Sequence, residues 1–371
     1  MTPFDFRPRT RLLFGAGDFG RLGEVARELG ATKCLLVADR GIVDQGYAQE
    51  ATRTLKARRI EVIGFHDFEA GPAAPLVVKT IDEAAAFAAP LNVNLIVAVG
   101  GGSSMDCAKA INFVVTNGGS IRGYRGFGKA SRPMLPMIAV PTTAGTGSEA
   151  QSSAVILDPE TSLRMVCGDH KAAFRAAILD PKLTVSQPRA LAAATGYDAI
   201  SHAVETLVST RQTALSECFS RSAWRLLNGN FERMLKDPAD LAARGAMLIG
   251  AHFGGLAIEN SNLGAAHACA APLTANYKIP HGVAIALLLA PVVAWNSAVA
   301  SRQYDELTPG LVRRLRDLAA AADLPVSLRD VSIPQEALPR LAEEAGAQWV
   351  GRFNPRPFDV AAALEIYQCA Y

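Results

Sequence analysis

The stretch Asn94-Leu-Ile-Val-Ala-Val-Gly-Gly-Gly-Ser-Ser-Met-Asp-Cys-Ala-Lys109 decides how the first half of the chain is read. Five consecutive apolar residues close on three glycines and run straight into a helix-forming segment. Continuous apolar strands, rather than alternating ones, are what a parallel sheet covered on both faces requires. Working outward, Lys33-Cys-Leu-Leu-Val-Ala-Asp39 follows a helical pattern at about 18–29, and Ile60-Glu-Val-Ile-Gly-Phe65 and Pro136-Met-Ile-Ala-Val-Pro141 repeat the theme. The first half is therefore expected to be an α/β layer structure.

The three glycines allow close backbone approach to a ligand, and the helix N-terminus beyond them offers unpaired N–H groups and a positive dipole end to a phosphate. The motif is not GxGxxG, and a tight strand-to-helix turn explains it equally well. Two neighbours favour a dinucleotide. Asp39 ends a strand, where a carboxylate can accept from a ribose 2′-OH and repel a 2′-phosphate, favouring NAD over NADP; a strand-end Asp is also an ordinary helix cap. Pro141-Thr-Thr-Ala-Gly-Thr-Gly-Ser-Glu149 follows another strand with small hydroxyl residues and glycines, a composition suited to wrapping a nucleotide.

After Asp180-Pro-Lys-Leu-Thr184 strand-like runs nearly vanish. Helical periodicity takes over in 188–195, 199–209, 214–227, 240–259, 264–275 and 284–298, with Pro and Gly between segments where they would end helices. The expected organisation is an α/β dinucleotide-binding domain over 1–184 and an all-helical metal-binding domain over 185–371.

Composition agrees. A chain of 371 residues, half of them hydrophobic, with a net charge of +2 excludes disorder and a coiled coil and carries no electrostatic footprint for nucleic acid or anionic lipid. Only 19% of residues are charged, and the charge-free stretch from Ile279 to Ser301 is long enough to span a bilayer. It contains His281, Gly282, Pro291, Asn296 and Ser297, so it reads as a buried helix with a functional entry loop. The N-terminus has no apolar signal region and the six cysteines form no CxxC pair, which leads us to expect a cytoplasmic chain with reduced thiols.

Four of the six histidines lie between residues 202 and 281. Asp198 and His202 are spaced i, i+4 and project from one helix face as a chelating pair. His267 sits in an apolar segment where an unpartnered imidazole is costly to bury, and His281 opens the most apolar helix. One carboxylate and three imidazoles suit Fe²⁺ or Zn²⁺. His66, His170 and His252 read as structural.

Taken together, GGGSSMDCAK, PTTAGTGSE, GYDAISHAVE, NLGAAHACAAPL and YKIPHGVA resemble the iron-dependent (group III) alcohol dehydrogenase family over nearly the whole chain. The resemblance implies a dehydroquinate-synthase-like fold with the active site in the cleft between the two domains. It implies metal ligands Asp198, His202, His267 and His281, the residues that the spacing had singled out. It implies cofactor contacts at Asp39, Gly101, Gly102, Ser103, Asp106, Thr142, Thr143, Thr146 and Leu183. The implied reaction is a reversible hydride transfer between NAD(H) and a small alcohol or aldehyde, with Fe²⁺, or alternatively Zn²⁺, as Lewis acid; a homodimer is a family-level expectation. The sequence departs from the pattern at several positions. Ala271 stands where many members carry a further histidine, Ala70-Gly71-Pro72 replaces a Pro-Asn-Pro segment, and Gln151 and Arg164 replace a threonine and a lysine. Two rival readings are a dehydroquinate-synthase-like lyase recycling bound NAD, and a nucleotide-binding protein with an altered site. The first needs a Lys- and Arg-rich phosphate pocket near the metal, where only Lys278 is found; the second is disfavoured by four intact ligands.

Overall fold

A computed structural model describes residues 3–69, 76–160 and 163–371. The chain falls into two compact units. The α/β unit contains β1 (Arg11–Phe14), α1 (Leu22–Glu28), β2 (Lys33–Val37), α2 (Arg40–Asp44), α3 (Tyr47–Ala57), β3 (Glu61–Phe65), α4 (Val78–Ala88), β4 (Leu95–Gly100), α5 (Gly102–Asn117), β5 (Gly126–Phe127), β6 (Met137–Pro141), β7 (Ser153–Asp158), β8 (Leu163–Gly168) and β9 (Ala176–Leu179). Its main sheet has the order β1-β9-β6-β4-β2-β3 and is parallel throughout.

Successive side chains of a strand point to opposite faces, and both faces here are apolar. Leu35, Val37, Ile96, Ala98 and Met137 pack with Ile81 of α4 and Ile111 and Phe113 of α5. Cys34, Leu36, Leu95, Val97 and Ile138 pack on the other side with Leu22 and Val25 of α1 and Leu55 of α3. After β2 the chain moves outward to β3, and after β4 it moves the other way to β6. Connections that leave adjacent strands in opposite directions open a crevice at the strands' carboxyl ends, the usual ligand position in open α/β sheets.

The pair β7 and β8 is antiparallel and forms a second, three-stranded sheet with β5. Neither strand was anticipated, because β7 alternates between buried and half-buried positions rather than presenting a continuous apolar run.

The helical unit contains α6 (Arg189–Val208), α7 (Ala214–Lys236), α8 (Leu241–Asn260), α9 (Ala265–Tyr277), α10 (His281–Leu307), α11 (Leu311–Ala321), α12 (Leu338–Gly346) and α13 (Val360–Cys369). Pro188, Gly264 and Pro280 stand at helix starts as expected, but not every glycine and proline ends a helix. Segments 188–195 and 199–209 are one helix, α6, and Gly196 inside it serves packing: a Cβ there would lie 2.7 Å from the Phe231 ring. Pro272 and Pro291 sit within α9 and α10. α8 and α10 are long and apolar enough to cross a membrane, but 61% of the apolar window in each is buried inside the protein.

The units are not divided by a single cut near residue 184. The α/β unit covers Phe6–Thr143 and Ser148–Ser186, whereas Ala144–Gly147 groups with the helical unit. The glycines of that segment explain why. A Cβ on Gly145 would lie 2.7 Å from Thr195 Cβ, and one on Gly147, whose φ is +59°, would lie 2.6 Å from the Ala251 carbonyl oxygen.

Candidate metal centre and cofactor loops

Within the helical unit, α6 carries Asp198, His202 and Glu205 at i, i+4 and i+7, which places them on one face. His267 lies in the first turn of α9, and His281 is the first residue of α10. The start of α10 runs against α6 so closely that a Cβ on Gly282 would lie 2.0 Å from the Ala194 carbonyl oxygen. Only glycine permits that approach, and it brings His281 to Asp198.

One carboxylate oxygen organises the cluster. Four donors around a metal at ~2.1 Å stand about 3.4 Å apart in a tetrahedron. The Nε2 atoms of His202, His267 and His281 lie 3.4, 3.6 and 3.6 Å from Asp198 Oδ1. Asp198, His267 and His281 each bring a ligand atom within 4.8 Å of the others; that trio does not include His202, although its Nε2 is the closest to the shared oxygen. Asp198 Oδ1 and His267 Nε2 are buried and make no hydrogen bond, a costly state that a cation relieves. The residues fit a divalent metal. The His281 side chain is 34% exposed, against 8% or less for the other three, so the centre is reachable from that side.

Charge is arranged accordingly. Burial alone would push the Asp198 carboxyl up, but the three imidazoles around it hold it well below the usual carboxylate range. Burial drives the His202 pKa down, favouring the neutral ring that binds metals, with Asp198 opposing. Burial also opposes protonation of His267, but the Glu205 and Asp198 carboxylates outweigh it and push its pKa up to about 9.

In the α/β unit, the proposed cofactor residues gather at the ends of adjacent strands. Asp39 caps α2 by accepting from Ile42 N at 3.3 Å, and Ser104 Oγ donates to its other oxygen at 3.0 Å. Gly100 has φ +145°, and a Cβ there would lie 2.3 Å from Ser104 Oγ and 3.1 Å from Asp39 Oδ2. Thr142 N donates to the Gly100 carbonyl at 2.9 Å, and a Cβ on Gly101 would touch Thr143 at 3.4 Å. Gly102 and Ser103 form the first turn of α5, whose Gly101 cap supplies no side-chain acceptor. Asp39, Gly101–Ser103, Thr142 and Thr143 are thus brought together. The other three are placed elsewhere. Asp106 directs its oxygens into the unit, accepting from Ser148 Oγ at 2.7 Å and Val155 N at 3.0 Å. Leu183 is buried in the core beside the sheet, and Thr146 belongs to the segment that groups with the helical unit.

A model of the iron-containing alcohol dehydrogenases matches residues 8–181, and one of the C-terminal domain of the same family matches 192–371. The chain belongs to the iron-containing alcohol dehydrogenase family. It is 30% identical to the NAD-dependent methanol dehydrogenase of Bacillus methanolicus over 99% of this chain and 98% of that protein. The solved 1,3-propanediol oxidoreductase superposes with a TM-score of 0.94 at 30% identity, with both chains fully covered. The sulfoacetaldehyde reductase of Bifidobacterium kashiwanohense, solved in complex with NAD⁺, superposes with a TM-score of 0.89 at 26% identity, covering 100% of this chain and 99% of that one.

Among the buried charged residues of this alcohol dehydrogenase-family chain, Glu205 and Lys109 were not singled out by sequence. Glu205, discussed below, lay within the quoted SHAVE stretch. Lys109 is fully buried, and its ammonium donates to Ser148 O at 2.8 Å, Ser148 Oγ at 2.7 Å and Ser153 O at 2.7 Å, satisfying all three protons. A lysine nine residues beyond the strand carries no mark of burial in sequence. Ala271 is half-buried and one turn beyond His267 on α9, hence on the same face. Ala70-Gly71-Pro72 lies outside the described residues.

The elevated His267 pKa has a measurable consequence. A metal must displace a ring proton below about pH 9, so apparent Zn²⁺ affinity should rise with pH up to that value, about tenfold per unit for one proton released. The metal-free protein should behave oppositely. A raised folded-state pKa stabilises below the ring's ordinary value near 6.5 and the gain is lost as pH rises through about 9. Competition titrations with a zinc chelator between pH 6 and 9 read the first effect; a flat profile contradicts it.

Proposed function

We propose that this family member catalyses metal-dependent, NAD(H)-linked interconversion of a small alcohol and its aldehyde or ketone in the cytoplasm. Iron is the proposed resident metal and zinc the alternative, held by Asp198, His202, His267 and His281. The observation that carries this reading is the buried Asp198 oxygen facing three imidazole nitrogens at 3.4–3.6 Å. For NAD we propose contacts from Asp39, Gly101, Gly102, Ser103, Thr142 and Thr143, with Thr146 and Leu183 as further candidates. Asp106 is proposed to act indirectly, by holding the Ser148 loop.

When bound, the metal supplies Lewis acidity toward an alcohol or carbonyl oxygen and the nicotinamide supplies the redox couple. The chain's own residues do the rest. Asp198 provides the negative charge that makes a cluster of three imidazoles tolerable in a buried site. The amide groups at the start of α5, next to a glycine with no room for a side chain, offer a pyrophosphate N–H donors and the positive end of a helix dipole. Asp39, oriented by Ser104, offers acceptors to a ribose diol.

The reading is tested by following NADH absorbance with a panel of small aldehydes and alcohols, after chelation and after adding back Fe²⁺ or Zn²⁺. Activity that survives complete metal removal overturns it. Replacing Asp39 by glycine removes the carboxylate that repels a 2′-phosphate. The NAD-to-NADP ratio of kcat/KM should then fall by about 10-fold or more, on the scale of a lost charge contact worth about 1.4 kcal/mol. An unchanged ratio argues against Asp39 as the discriminating residue.

A further inference from the structure

Glu205 is buried on α6 of the helical unit, 5% exposed, and both its oxygens are spoken for. Oε1 accepts from Gly264 N at 3.1 Å, Ala266 N at 2.9 Å and His267 N at 3.4 Å. Oε2 meets the His267 ring at Nδ1. The remaining amide of that turn, Ala265 N, donates to Asn354 Oδ1 at 3.3 Å, and Asn354 exchanges side-chain hydrogen bonds of 3.0 and 2.8 Å with Asn296 of α10. The start of α9 is thus fixed from two sides, and the imidazole is held at its Nδ1 edge while its buried Nε2 makes no hydrogen bond.

A neutral imidazole carries one ring proton, and the group that bonds one nitrogen decides which lone pair is free. A carboxylate accepts only. We propose that Glu205 is the positioning residue for the metal centre: by accepting a hydrogen bond from the Nδ1–H of His267 it holds the tautomer whose Nε2 lone pair lies on the side of Asp198 Oδ1. The same carboxylate turns the first-turn amides of α9 into the clamp that fixes its own orientation, since three N–H donors hold Oε1 and leave only Oε2 for the ring. This rests on the metal site proposed above and extends it by one residue that does not touch the metal.

Glu205→Gln separates this role from simple helix capping. The three amides still demand an oxygen at Oε1, which forces the new NH₂ toward Nδ1. That nitrogen must then accept, the ring proton moves to Nε2, and the ligand lone pair is gone. The cap survives while the ligand does not. With Co²⁺ as a probe of the full chain, E205Q should bind about 10- to 100-fold more weakly than wild type, while the metal-free variant still unfolds in one cooperative transition. Glu205→Asp, which restores an acceptor-only group, should recover part of the affinity. Wild-type Co²⁺ affinity in folded E205Q overturns the proposal. A second measurement does not depend on that variant folding: in Zn²⁺-loaded wild type with ¹⁵N-labelled histidine, His267 should show a hydrogen-bonded proton on Nδ1 and none on Nε2, and metal attached through Nδ1 overturns the proposal. If wild type itself binds neither ion, the metal site fails together with this inference; if wild type binds and E205Q matches it, only the role of Glu205 fails.

Discussion

Replacing Asp198 by asparagine should lower turnover by about three orders of magnitude or more, equivalent to roughly 4 kcal/mol of lost transition-state stabilisation, while leaving the fold intact. The substitution conserves volume, so packing against the neighbouring helices is undisturbed. What changes is charge. Asp198 Oδ1 lies within 3.6 Å of three imidazole nitrogens, and a divalent cation placed among neutral imidazoles depends on that anion for compensation. An amide in its place either presents a weaker oxygen or turns an N–H₂ toward the cation. The expected result is a protein that still folds cooperatively after chelation but retains little metal. Metal content by elemental analysis, NADH formation rates and thermal unfolding of the chelated protein together check it. Stoichiometric metal with activity within tenfold of wild type would remove Asp198 from its proposed place at the centre.

Much of this centre could be read from sequence, because its chemistry coincides with a helical period. Asp198 and His202 at i, i+4, and two further histidines in apolar surroundings, stand out where most neighbours are Ala, Leu and Val. Glu205 shares the same helix face, yet a glutamate near a helix end is ordinary until its partners are known, and its partners lie 59 to 62 residues away. The same limit applies in the α/β unit. Strand β4 was legible because burial on both faces demands unbroken apolar residues, whereas β7 shows the half-buried alternation that blends into loops. Asp106 sits one turn into the helix that follows the glycine loop and looks like a ligand group, but it is consumed by Ser148 and Val155, contacts that no local pattern announces. The membership of Ala144–Gly147 in the helical unit is likewise a tertiary fact. What the glycines of that segment signalled was close approach to protein backbone, indistinguishable in sequence from close approach to a nucleotide.

The same ambiguity gives the second large prediction. Gly282 could be taken for a loop glycine next to His281, but its missing Cβ is what lets α10 start against α6. A methyl group there would stand 2.0 Å from Ala194 O and 2.5 Å from its carbonyl carbon, and both belong to helix backbone that cannot rotate away. Gly282→Ala must therefore push the helices apart by roughly 1 Å to restore ordinary contact. Overpacking of this kind costs about 3 kcal/mol or more, which in a domain of this size lowers the unfolding temperature by about 6–12 °C. Function should suffer beyond stability. Ala194 is one turn before Asp198 and Gly282 adjoins His281, so the separation falls directly on the 3.6 Å contact between those two proposed ligands. Metal affinity should drop even at temperatures where the variant is folded. Gly229→Ala is the matching control, because Gly229 is exposed within α7 and nothing lies within 4 Å of its Cβ position; there alanine should stabilise by about 0.5–1 kcal/mol through helix propensity. Thermal unfolding of both chelated variants, followed by Co²⁺ titration at a temperature where each is folded, distinguishes the cases. A G282A protein that unfolds with wild type and binds Co²⁺ equally well would mean that α6 and α10 have slack at this contact, and that the ligand geometry is set elsewhere.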